Sequence, residues 1–190
     1  MILEGIVTTL APDGALNIAP MGPEVGPGDL SRFTLRPYRT STTYRNLKQS
    51  GEGVFHITDD VLLIARAAIG TVTDAPHRPA TVVRGQILEV SGRAYEFRVL
   101  DLQDESDRTT IQVETVAEIR QPVDLFGLNR AKNAVIEAAI LATRLDFLPI
   151  AEILADFRRL AAPVAKTGGA DECLAFALLT DHVQVKSRLR

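Results

Sequence analysis

The chain has 190 residues, 46% of them hydrophobic, with 21 Lys and Arg against 24 Asp and Glu and a formal charge of -3. That length admits one large domain or a domain with an appendage, and the apolar fraction is ample for a core. The acidic balance argues against a general nucleic-acid binder, which is ordinarily basic.

The first two thirds of the chain read as strands. Segments 3–10 (LEGIVTTL) and 15–22 (ALNIAPMG) flank APDG, where Pro12 and the Asp13-Gly14 pair favour chain reversal, so an N-terminal hairpin is expected. The loop 22–29 (GPEVGPGD) has too many glycines and prolines for regular structure. A third strand follows at 31–37, ended by Pro37, then a short helix at about 43–50 closed by Gly51. Segment 52–58 (EGVFHIT) reads as a buried strand. Asp59 or Asp60 then caps a helix that runs to Gly70.

The stretches ATVVRGQILEV, RAYEFRVLDLQ and RTTIQVETVAEI are rich in β-branched residues. In YEFRVLDL the apolar Tyr95, Phe97 and Val99 alternate with Glu96 and Arg98, the pattern of a half-buried strand, and DESD at 104–107 is a polar turn. Six or seven strands with few helices suit a closed or nearly closed antiparallel barrel. Pro122 ends the β region, and three helices are expected at 129–145, 149–166 and 171–183. The expected organisation is a barrel domain over 1–122 and a helical extension over 123–190, packed on the barrel or at a dimer interface.

Several chemistries have no basis in the residues. His56, His77 and His182 are isolated, so no metal site is expected. No G-x-S-x-G elbow, phosphate loop or dinucleotide fingerprint occurs. Cys173 stands alone, followed by Leu174, Ala175 and Phe176, which suits core packing and a reducing interior. His56 lies in a strand, where a satisfied structural histidine is the default and a ligand-facing one the alternative. The N-terminus lacks a basic region and a cleavage site, and the longest apolar run, 134–142, carries Glu137. A soluble cytoplasmic protein with no membrane or nucleic-acid partner is expected.

The stretch 35–47 (LRPYRTSTTYRNL) stands apart. Thr40, Ser41, Thr42 and Thr43 form a run of hydroxyls bracketed by Arg36, Arg39 and Arg45, and a helix opens where they end. The first N–H groups of a helix lack partners and lie at its positive end, so a phosphate placed there gains donors. One hydroxyl suffices for a cap, so the residues alone allow either a capped helix or an anion site. Upstream, NIAPMG has small side chains and a proline that cannot donate to a ladder, which marks an edge accessible to a flat ligand.

Taken as a set, the D-G hairpin, N-x-A-P-M, the strand ending in R-P, S-T-T-Y-x-N-L and G-V-F-x-I-T-D-D resemble the flavin-reductase-like FMN-binding split barrels. Within them the chain is most similar to the branch known as domain of unknown function 447, found in archaea and in some bacteria with archaeal-type one-carbon genes. The resemblance extends over nearly the whole chain, including AKTGGADECLAFALL. It implies an antiparallel split β-barrel, mainly β with α, carrying a C-terminal three-helix extension. It also implies a homodimer with FMN near the subunit interface. The phosphate would lie against Arg36, Ser41, Thr42 and Thr43, beside Thr40. The isoalloxazine would lie along Asn17, Ala19, Pro20 and Met21, with His56 where related barrels carry an asparagine. The implied role is an oxidoreductase of unknown substrate, for which a nicotinamide compound is a compatible donor. The alternatives are a non-catalytic FMN-binding or sensing module, and a binder of another phosphorylated planar ligand such as a pterin-pathway compound. No catalytic acid or base is assigned.

Overall fold

The structure, a computed structural model, describes residues 1–26, 28–68, 70–72, 74–122, 127–142, 144–145 and 147–188. They form two compact units, one over Leu3–Leu128 and one over Met1–Ile2 with Asn129–Arg190. The boundary expected at 122/123 adjoins residues 123–126, which lie outside the described residues, as do positions 69 and 143 of the expected helices.

The larger unit is an antiparallel split β-barrel. Its main sheet holds β1 (Gly5–Leu10), β2 (Leu16–Met21), β3 (Glu24–Gly26), β4 (Asp29–Leu35), β5 (Glu52–Ile57), β8 (Arg93–Gln103) and β9 (Thr110–Arg120). They run in the order β2-β1-β5-β8-β9-β4-β3, and β6 (His77–Pro79) pairs separately with β7 (Gln86–Leu88). Strand β3 is a correction: the Gly- and Pro-rich loop contains a short strand because β4 supplies its ladder partners. The hairpin turn closes through hydrogen bonds between Ala11 and Ala15 and from the Gly14 N–H to the Ala11 carbonyl, with Gly14 at φ +88°.

Residues opposite one another across an antiparallel pair share a face, and alternate residues along a strand change face. One face of the sheet wraps the main core, where Val7, Phe33, Leu35, Leu47, Phe55, Phe97, Ile111 and Val113 are buried together. Phe33 packs against Phe55 and Phe97 at centroid distances of 5.7 and 5.5 Å. Helix α1 (Thr42–Ser50) contributes Tyr44 and Leu47 to this core. The opposite face carries smaller clusters, Val54 with Ile87 and Ala94, and Ile6 with Leu63 of α2 (Val61–Ala68) and Leu88. Gly5 is required where β1 meets β5: a Cβ there would stand 2.3 Å from the His56 carbonyl.

Glu96 departs from the half-buried reading. It has no exposed surface, and its carboxylate accepts the Thr81 N–H and hydroxyl (both 2.7 Å), the Val82 N–H (2.6 Å) and the Val83 N–H (3.0 Å). Burial pushes its pKa up, but the Thr81 and valine donors hold it below the ordinary value. Within the β-branched stretch 80–90, residues 81–83 therefore form a loop wrapped round an anion, and only Gln86–Leu88 forms a strand.

The smaller unit comprises α3 (Arg130–Ala142), α4 (Ile150–Thr167) and α5 (Ala170–Arg188). Ala131, Ala134, Ala138 and Ala142 are buried along α3, a small-residue seam that admits close helix neighbours. Asn129 caps α3 through the Lys132 N–H (3.0 Å), while its amide donates to the Ile2 and Thr167 carbonyls. Cys173 is exposed, which corrects its expected place in the core. Among the described residues, no helix is long and apolar enough to cross a membrane.

Candidate functional site

Helix α1 starts as its sequence dictates. Ser41 is the N-cap with extended backbone (φ -76°, ψ 151°), and its Oγ accepts the Tyr44 N–H at 3.1 Å. Gly51 closes the helix in the left-handed region at φ +66°. The Arg45 N–H reaches the Ser41 carbonyl. Among the described residues, the Thr42 and Thr43 N–H groups have no acceptor. No acidic side chain stands in the first turn, so the positive helix end is left uncompensated. Ser41 Oγ and Thr42 Oγ1 each already accept a hydrogen bond, the latter from Arg45 Nη2 at 3.0 Å. Each hydroxyl proton is therefore available to donate. Two unspent N–H groups and two hydroxyl donors at one helix start form a receptor for an anion.

A polar chain ties this helix start to the sheet edge. Asn17 Nδ2 donates to Thr9 Oγ1 and to Thr43 Oγ1, both at 3.1 Å, and Asn46 Nδ2 donates to Thr9 Oγ1 at 3.0 Å. Thr9, Thr43 and Asn46 are buried, so these bonds are shielded from water. Both Asn17 amide protons are spent, which leaves Oδ1 as its free acceptor. Strand β2 is an end strand of the sheet, paired on one side with β1 and half-buried at every residue.

Strand register divides the expected ring-contacting residues. Asn17, Ala19 and Met21 lie opposite Thr9, Val7 and Gly5, on the face that carries Thr43. Pro20 lies opposite Ile6, which in turn lies opposite His56, so both occupy the other face. His56 has no exposed surface; its Nδ1 bonds the Ile6 carbonyl at 3.3 Å and its Nε2 accepts the Leu88 N–H at 3.1 Å. Burial pushes its pKa down to about 4, with the Ile6 bond opposing in part, so the ring is neutral and fixed in one tautomer. With both nitrogens spent on backbone, His56 has no polar atom left for a ligand. Its expected place beside a flavin is corrected to a structural one.

The basic residues also separate. Arg36 Nη1 lies 3.3 Å from Glu24 Oε1, and Thr40 is exposed in the turn before the cap. Lys48 Nζ donates to Asp104 Oδ2 at 2.6 Å and Tyr44 Oη donates to the same oxygen at 2.5 Å. The Lys48 bond, then Tyr44, hold the Asp104 carboxyl below its ordinary pKa, and the Asp104 bond raises that of Lys48. This triad pins α1 to the β8–β9 turn.

The family model for the protein of unknown function (DUF447) N-terminal domain matches residues 3–121, and a second model, protein of unknown function (DUF447), matches 129–181. The chain belongs to the DUF447 family. No curated protein matches it in a sequence comparison. Among solved structures, an FMN-bound DUF447 protein from Methanosarcina mazei is similar with TM-score 0.57 and 22% identity over 95% of this chain and 94% of that chain. An FMN-binding protein from Thermus thermophilus with bound p-hydroxybenzaldehyde gives 0.55 and 18% over 63% and 72%. An NADH:FAD oxidoreductase from Streptomyces globisporus gives 0.57 and 9% over 66% and 74%. These likenesses establish the split-barrel fold.

Residues of this DUF447 chain that sequence reasoning missed are Thr9 and Asn46, which hold the polar chain together. Asn46 leaves a signal, because a polar side chain sits between Thr43 and Leu47 on the buried face of α1. Arg108 is also missed. Its Nε donates to the Arg36 carbonyl at 3.1 Å although the two residues are 72 apart in sequence.

Proposed function

We propose that this DUF447 chain is an FMN-binding flavoprotein that serves oxidoreduction. The observation that carries the reading is the start of α1, with unspent Thr42 and Thr43 N–H groups, hydroxyl donors on Ser41 and Thr42, and no acid in the first turn. That donor set fits a phosphomonoester. The FMN-bound state of the Methanosarcina mazei relative, which spans nearly the whole chain, supports the choice of ligand.

In this reading Ser41, Thr42 and Thr43 hold the phosphate. The β2 edge with Asn17 Oδ1 meets polar atoms of the ring, and Ala19 and Met21 offer it small or polarizable contacts. FMN, when bound, supplies the hydride or electron transfer. The protein's residues bind and orient, because Asn17, Thr9, Thr43 and Asn46 lock one another in place. A homodimer that covers the open β2 edge, with the flavin near its interface, completes the proposal. A nicotinamide dinucleotide is the proposed donor, in keeping with the activity named for the Streptomyces globisporus neighbour.

A second reading, an FMN-binding module without turnover, is favoured by the composition of the polar chain, which is entirely threonine and asparagine and offers no group that titrates near neutral pH. The visible spectrum of the purified protein, with mass identification of any released chromophore and melting curves with added FMN, tests binding. Absence of both flavin absorbance and an FMN-dependent rise in melting temperature would sink the proposal. Oxidation of NADH or NADPH no faster than with free FMN alone would leave only the module.

A further inference from the structure

The flavin reading leaves open which side chain answers the phosphate charge. We propose that Arg108, brought from the start of β9's approach to the turn before α1, is the residue that makes this site select a phosphorylated flavin over riboflavin. The inference rests on the flavin reading and concerns that same site.

Three of the other basic side chains of the region are engaged, and the fourth is not held in place. Arg36 faces Glu24 at 3.3 Å, Arg45 gives Nη2 to Thr42 at 3.0 Å, and Lys48 is bonded to Asp104 at 2.6 Å. Arg39 is exposed, and its charge acts on Asp104.

Arg108 is held differently. Its Nε donates to the Arg36 carbonyl at 3.1 Å, and its guanidinium carbon lies 5.0 Å from the centroid of the Tyr38 ring. Those two contacts fix the plane of the group. Its terminal nitrogens have no partner among the described residues. Tyr38 and Arg108 form an antiparallel bridge, and the Tyr38 carbonyl accepts the Ser41 N–H at 2.9 Å. The guanidinium is thus fastened to the turn whose last residue is the N-cap.

The neighbours of Arg108 stiffen the same junction. The Thr109 N–H and hydroxyl both donate to the Pro37 carbonyl, at 3.0 and 2.8 Å, and the Arg39 N–H donates to the Asp107 carbonyl at 3.0 Å. A guanidinium already fixed at Nε and on one face loses little rotamer freedom when its terminal nitrogens take up phosphate oxygens. Arg39 would have to be ordered first. Riboflavin has no phosphate and gains nothing from Arg108.

The test is the equilibrium dissociation constant for FMN and for riboflavin, measured by titration against the full chain and its Arg108→Ala, Arg108→Lys and Arg36→Ala variants. Loss of one charge-assisted contact predicts that Arg108→Ala weakens FMN about 30-fold and riboflavin less than about twofold. Arg108→Lys keeps the charge without the fixed plane and recovers part of the loss. Arg36→Ala costs less than about threefold for FMN, since an exposed pair contributes little. If Arg108→Ala does not fold, Arg108→Gln, which keeps a donor for the Arg36 carbonyl, decides in its place. Equal losses for both flavins, unchanged FMN binding, or a larger loss from Arg36→Ala overturns the assignment while leaving the flavin reading intact. A wild-type chain that binds neither flavin overturns both.

Discussion

Acidification between about pH 6.5 and pH 4 is predicted to destabilise the protein through His56. Its folded pKa is about 4 against an ordinary 6.5, so in that window the unfolded chain binds a proton that the folded chain refuses. Stability is therefore complete above the unfolded value and falls as pH drops towards the folded one. The full difference corresponds to about 3 kcal/mol, of which about 2 kcal/mol is lost by pH 5. Carboxylates add little above pH 5, where most remain ionised in both states. Urea denaturation at pH 7.5 and pH 5.0 measures the loss directly. His56→Gln removes the titration and one of two backbone bonds, so it is expected to be less stable at pH 7.5 by about 1–3 kcal/mol yet nearly flat with pH. If the variant shows the same pH slope as the wild type, His56 is not the group responsible, and its burial between Ile6 and Leu88 has been misjudged.

Other consequences follow from the same packing. Glu96→Gln sets an NH2 group against backbone N–H donors and is expected to cost about 2–4 kcal/mol by urea melt. Because the folded pKa of Glu96 lies below its ordinary value, the stability it contributes is present above pH 4.5 and lost as pH falls further, which Glu96→Gln should abolish. Gly5→Ala must push a Cβ against the His56 carbonyl and is expected to cost about 3 kcal/mol, seen as a lower denaturation midpoint. Asn17→Ala unties Thr9 from Thr43 at a cost of about 1–2 kcal/mol. It is expected to speed hydrogen exchange of the first α1 amides before those of β5, whereas uniform exchange would contradict a local tether.

What the sequence disclosed, and what it hid, follows the range of the interactions. The hairpin turn, a hydroxyl cap for α1 and the Gly51 stop depend on neighbouring residues and follow local rules, while the choice of Ser41 among the four hydroxyls, and the helix start at Thr42 rather than about 43, came from the structure. The strand over 24–26 was hidden because its ladder partners lie in β4 and outweigh local Gly and Pro content. Glu96 looked solvent-facing because alternation counts only side-chain polarity, while its four donors come from residues 81–83. In α5, Leu174, Leu178 and Val185 are exposed while Val183 is buried, so apolar residues on several sides left no period to show which way Cys173 points. At the candidate site the hydroxyl run was legible as a surplus over a simple cap. The division of Asn17 and Ala19 from Pro20 and His56 needed the strand register, and Arg108 needed the tertiary bridge to Tyr38.

The central claim is that the start of α1 is a phosphate cradle. Parallel calorimetric titrations of the wild-type protein with FMN and riboflavin test it most directly, since the two ligands share ring and ribityl chain and differ in the phosphate. Two or more charge-assisted hydrogen bonds predict FMN affinity at least about 100-fold above that of riboflavin, with the gap narrowing as salt is raised. Equal affinities would contradict the account.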